Sequence, residues 1–101
     1  MNKTYIEFYQ NEIRAVQIVV RDQNDDDFDP TEAWAYVVDS DDTVVVASAS
    51  ALVSDNSVST LITTTTTATI GTYYIVWKLL KTIDSTDYIH YHKTRIEVMS
   101  L

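Results

Sequence analysis

Gly71 is the only glycine in this chain, and it stands directly before a run of large side chains, Thr72-Tyr73-Tyr74-Ile75-Val76-Trp77. Glycine reaches backbone angles that are costly for other residues, so a lone glycine here marks a sharp entry into the element that follows. Side chains of a strand point alternately to its two faces, which places Tyr73, Ile75 and Trp77 together on one face. The run predicts a long strand over Thr72 to Ile83 whose inward face is Tyr73, Ile75 and Trp77. With one glycine and one proline in 101 residues, the remaining turns must be built from Asp, Asn, Ser and Thr. Their side chains hydrogen-bond nearby backbone.

The rest of the chain reads as strands separated by such turns. Thr4 to Tyr9 is a short first strand. Asn11 to Asp22 is a clearer one, with Val16, Ile18 and Val20 on one face and Gln17, Val19 and Arg21 on the other. A loop follows to Pro30, with Phe28 as its anchor. Thr31 to Asp39 alternates again and turns Trp34, Tyr36 and Val38 one way. Thr43 to Ala51 is apolar and β-branched, and Ser57 to Thr63 supplies Val58, Leu61 and Ile62 to a core. The Ala-rich stretch Ser48 to Ser54 is compatible with a short helical turn. The threonines from Thr63 to Thr67 favour extended backbone, as an exposed edge or a bridging loop. Asp84 to Asp87 turns the chain into a last strand, Tyr88 to Met99. The expectation is an all-β sandwich of seven to eight antiparallel strands in a single domain, 1–101, with Trp34, Tyr73, Ile75 and Trp77 buried together between the sheets.

Composition excludes several function classes. The chain has 15 acidic and 7 basic residues, a net charge of −8, where binding to nucleic-acid phosphates needs clustered Lys and Arg. An anionic membrane surface is disfavoured for the same reason. With no cysteine, the fold has no disulfide and no thiolate metal site, which fits a reducing compartment or a scaffold held by packing alone. The N-terminal segment Met1 to Arg14 is polar and mixed in charge, without the apolar core of a secretion signal.

Candidate chemistry is sparse. In the acidic loop Asp22 to Asp29, the residues Asp22, Asn24 and Asp26 imitate the alternating oxygen ligands of a calcium loop. Asp27, however, stands where that loop requires glycine, and Ala33 where it requires its closing glutamate. A solvated loop is the better reading. His90 and His92 share one face of a strand, a spacing that can seat zinc, but no third ligand accompanies them. There is no cysteine nucleophile, no Gly-x-Ser-x-Gly elbow and no glycine-rich phosphate loop. The chain is therefore read as non-enzymatic, without cofactor or metal. What stands out is a second apolar face. Val19, Val37, Tyr74, Val76 and Leu80 alternate with the expected core residues Val16, Val38, Tyr73, Ile75 and Trp77, and a patch of that kind marks an interface.

Gly71-Thr72-Tyr73, with Tyr73 at the start of its strand, resembles the tyrosine corner of immunoglobulin-like sandwiches. Trp34 takes the place of their core tryptophan, and Ile75 stands where many carry a cysteine. More narrowly, the order of features is similar to small immunoglobulin-like proteins of tailed bacteriophages, in particular the N-terminal domain family of the phage baseplate upper protein. The matching segments are Phe28-Asp29-Pro30-Thr31 with Ala33 to Val38, the acidic hairpin Asp39 to Val45, the strand Gly71 to Leu79, and the closing strand Tyr91 to Val98. Asp41-Asp42 replaces the glycine-containing turn usual there. The resemblance implies a virion structural or accessory protein of capsid, neck, tail or baseplate, assembled in the bacterial cytoplasm and acting by self-association or by contact with other virion proteins. An alternative of a different class is a module that binds a carbohydrate or host-surface ligand on a shallow platform of Tyr74, Tyr88 and Tyr91.

Overall fold

The computed structural model describes residues 5–21, 24, 28–64 and 69–100. Eight strands follow in order: β1 (Ile6–Tyr9), β2 (Ile13–Val19), β3 (Glu32–Asp39), β4 (Val44–Ser50), β5 (Leu52–Ser54), β6 (Ser57–Thr63), β7 (Gly71–Ile83) and β8 (Thr86–Met99). Five form one sheet in the order β1-β8-β7-β3-β4, and three form a second in the order β2-β6-β5. This is the arrangement of an immunoglobulin-like sandwich, with one strand added beside β3 and another beside β8. The pairing is not antiparallel throughout. β1 runs parallel to β8, with Ile6 opposite Ile96 and Phe8 opposite Val98. A parallel pair needs a long crossover, and here nearly the whole sandwich separates the two strands.

The turns follow from the shortage of glycine. Positive φ falls on Asn11 (66°), Asp42 (62°), Asp55 (52°), Asp84 (50°) and Ser85 (66°), all short polar residues, and on Gly71 at 146°. Asn and Asp tolerate the left-handed region because their side chains can bond local backbone. Beside Asp42, the Asp39 carboxylate accepts from the Asp41 N–H at 2.9 Å and the Thr43 N–H at 3.0 Å. That fastens the β3–β4 hairpin without a glycine. The β7–β8 hairpin closes on only two residues, Asp84 and Ser85, both at positive φ, as a primed turn requires. Thr86 and Asp87, expected in the turn, are already strand. The stretch Ser48 to Ser54 is strand as well, divided between β4 and β5. The Ala51 N–H donates to the Ala33 carbonyl at 2.9 Å where the chain crosses between sheets, so its backbone is satisfied without a helical turn.

The core lies between the sheets. Phe8, Val58, Ile75, Trp77 and Leu79 are fully buried there, with Ile96 and Val98 beside them. Across β3 and β7, Ala33 faces Leu79, Ala35 faces Trp77 and Val37 faces Ile75, so the alanines of β3 make room for the large side chains of β7. The Trp77 indole N–H donates to the Thr94 hydroxyl at 3.0 Å, which satisfies its one polar atom. Tyr73 packs against this core, and its hydroxyl donates to the Thr69 carbonyl at 2.7 Å. That is the bond of a tyrosine corner. Phe28 packs against the core too. Thr64 is buried; its hydroxyl accepts from the Glu12 N–H at 2.9 Å and donates to the Tyr9 carbonyl. The rest of the expected threonine bridge, Thr65 to Thr67, lies outside the described residues.

Trp34 corrects the expected core. The register that turns Ala33, Ala35 and Val37 inward turns Trp34, Tyr36 and Val38 outward. Trp34 is half-buried on the outer face of the five-stranded sheet, against Lys78, whose Nζ stands 5.5 Å from the ring centroid. Val38 is buried, but on that outer face rather than between the sheets. Trp77 fills the space opposite Ala35, and alternation then leaves Trp34, one residue earlier on β3, on the other face.

Candidate functional site

The outer face of the five-stranded sheet is built by alternation and register. β7 directs Tyr74, Val76, Lys78 and Leu80 outward, opposite Val38, Tyr36, Trp34 and Glu32 of β3. On its other side β8 aligns Arg95 with Tyr74, Lys93 with Val76, Tyr91 with Lys78 and Ile89 with Leu80. Val38 and Val76 are each only 4% exposed although, among the described residues, no second layer covers them. The long side chains around them form the cover. Lys93 Nζ lies 5.4 Å from the Tyr74 ring centroid, and the Arg95 guanidinium lies 5.1 Å from that of Tyr5. Together with the Lys78–Trp34 pair, aromatic rings and cations interleave across the face, an arrangement that holds each ring by its quadrupole.

Charge on this face is locally balanced. Arg95 Nε donates to Glu97 Oε1 at 2.8 Å, and the Thr72 hydroxyl donates to the same oxygen at 2.7 Å. The Thr72 bond, and after it Arg95, holds Glu97 below its ordinary carboxylate value, and the bond to Glu97 raises Arg95. Lys93 sits 3.5 Å from Asp42 at the tip of the β3–β4 hairpin. In a chain of net charge −8, Lys78, Lys93 and Arg95 make this face far less acidic than the molecule as a whole.

The five residues expected to form one patch are divided. Tyr74 and Leu80 are half-buried on the outer face just described, and Val76 is buried there beneath its neighbours. Val37 belongs to the core between the sheets. Val19 is exposed on the outer side of the other sheet, opposite Ser57. A buried Val76 is not a contact residue. The sequence reading missed Lys78, Lys93 and Arg95, took Trp34 for core with Tyr36 on the same side, and named Tyr91 only for the sugar platform. The signal that joins Tyr91, Lys93 and Arg95 was the alternation of β8, legible once β8 is known to lie beside β7.

The proposed sugar platform is divided in the same way: Tyr74 and Tyr91 share the outer face, while Tyr88 pairs with Lys81 on the opposite one. His90 and His92 also lie on that opposite face, in register with Leu79 and Trp77. Phe28 stacks obliquely on His90 with ring centroids 6.2 Å apart, and Lys81 covers the Phe28 ring at 5.1 Å. Desolvation, and then His90, holds the His92 pKa below the usual histidine value of 6.5. Among the described residues, no group of three His, Asp or Glu is placed to hold a metal ion. Most of the acidic loop, Asp22-Gln23 and Asp25 to Asp27, lies outside the described residues. The chain matches no family model, no curated protein and no solved structure.

Proposed function

We propose that this chain is a non-enzymatic association module that binds another protein through the outer face of its five-stranded sheet, as a structural or accessory component of a tailed-phage particle. The observation that carries the reading is the outer face itself. Trp34, Tyr36, Tyr74 and Tyr91, interleaved with Lys78, Lys93 and Arg95, stand over the buried Val38 and Val76. Tyrosine, tryptophan and arginine are the residues that protein interfaces concentrate at their energetic centres. Rings already held against neighbouring cations lose little conformational freedom on binding, which lowers the entropic cost of association. The phage setting rests on the sequence resemblance, and a cysteine-free, acidic chain suits assembly in a bacterial cytoplasm.

The test is mass spectrometry of purified particles from the phage that encodes the chain, with wild type beside Tyr91→Ala and Arg95→Glu. Tyr91 is 56% exposed, so its truncation is expected to leave the fold intact. Wild type is expected in the particle at constant stoichiometry, and both variants are expected to be depleted while remaining folded by circular dichroism. A chain absent from particles, or present equally in all three forms, would overturn the reading.

A further inference from the structure

A cavity of about 300 Å³ opens between the two sheets at the end where β7 begins. We infer that it binds a small uncharged molecule, mainly aliphatic and carrying one hydrogen-bond donor. Its walls are Val37, Val46, Ile62, Ile96 and Val98, drawn from β3, β4, β6 and β8, and the one ring lining it among the described residues is Tyr73. Protein interiors are packed as closely as organic crystals and leave few voids larger than a water molecule, so a gap of this size is large for a chain of 101 residues. It reaches the lower end of the range that small-molecule sites occupy. The gap has a local cause. Farther along β7, Trp77 fills the space over Ala35, whereas the branched aliphatic chains lining this end are too short to meet across it.

The lining sets the class of ligand. In a chain that is 22% charged, no charged side chain lines the cavity among the described residues. An ion entering it would lose its water and find no counter-charge, so ionised ligands are excluded. The walls favour a hydrocarbon body, since apolar cavities take up small apolar molecules. Covering Val45 and Val46, which line the cavity and are exposed, adds to the gain. Hydroxyls set the polar end. The Tyr73 hydroxyl donates its proton to the Thr69 carbonyl at 2.7 Å, so toward a ligand it is an acceptor. Thr64 is engaged in the same way, accepting from the Glu12 N–H and donating to the Tyr9 carbonyl. The ligand must therefore bring the donor, as an alcohol does. This site lies on the inner side of β3 and β7, apart from the aromatic outer face, and does not depend on what that face binds.

The test is methyl-resolved NMR of the full chain titrated with cyclohexanol to about 20 mM, a range that spans the millimolar affinity expected of so small a ligand. Saturable shifts are expected at the methyls of Val37, Ile62, Ile96 and Val98, and none at Leu61, exposed on the outer side of the three-stranded sheet. Protonated cyclohexylamine, of nearly the same shape, is expected to bind about tenfold more weakly or worse, because its charge finds no partner. Tyr73→Phe, which removes the acceptor, is expected to weaken cyclohexanol about threefold or more. Val46→Phe, which fills the cavity, is expected to weaken it about tenfold or more. The absence of saturable shifts at the lining methyls, equal shifts at Leu61, equal binding of the ammonium, or unchanged affinity in either variant overturns the proposal. Should Val46→Phe fail to fold, the wild-type and Tyr73→Phe titrations decide it by the same outcomes.

Discussion

Two tryptophans separated by one strand register behave as different kinds of residue here. Trp77 is fully buried with its indole N–H bonded to Thr94, so Trp77→Ala is expected to cost about 3–5 kcal/mol in denaturant unfolding, as large core truncations do. Trp34 lies half-buried on the outer face against Lys78; Trp34→Ala is expected to cost less than about 1.5 kcal/mol, the scale of a surface cation–π contact plus partial burial. Equal costs would contradict the assigned register. Tyr73 offers a narrower test. Its hydroxyl makes one bond, to the Thr69 carbonyl at 2.7 Å, and Tyr73→Phe should lose about 1 kcal/mol, the net worth of one such bond. No loss would mean that the corner is ornamental. The alternation around Tyr73 and Trp77 was legible in the sequence because glycine and strand periodicity are local. The position of Trp34 was not, because alternation separates two faces without saying which one turns inward.

At the scale of elements, β7 and β8 extend past the sandwich. β3 pairs with β7 only as far as Glu32 opposite Leu80, while β7 and β8 continue to Ile83 opposite Thr86. The projecting ribbon ends in Asp84-Ser85, and Ser85 holds a φ of 66° that glycine adopts at lower cost. Ser85→Gly is expected to slow amide exchange in the Ile83–Thr86 pairs severalfold with little change in melting temperature, because the ribbon opens locally, apart from the core. A large rise in melting temperature would couple the ribbon to global unfolding. Within the sandwich, β8 carries His92 in register with Trp77. Its pKa is lowered in the folded state by desolvation and by His90, so the unfolded chain takes up the proton first. Stability should therefore fall as pH drops below about 6.5, the unfolded value, and level off once the folded imidazole is also charged. The effect is small because His92 is exposed. His92→Asn should flatten that part of the profile; an unchanged profile would exclude His92 as its source.

At the scale of the whole molecule, local preference and long-range packing decide different things. The sequence alone determined the strand class, every strand but β5, the glycine-free turns and the corner at Tyr73. All of these rest on periodicity and on the backbone preferences of single residues. Tertiary structure decided which sheet each strand joins, and with it the sidedness of every alternating run. Val37 went inward because Ala33 and Ala35 beside it leave space for Leu79 and Trp77. Val76 went outward and was covered by its own neighbours. β4 became the edge of its sheet because the chain leaves it at Ala51 to enter β5 of the other sheet. A side chain's periodicity is a property of its own strand, whereas its burial depends on volumes supplied by residues distant in sequence.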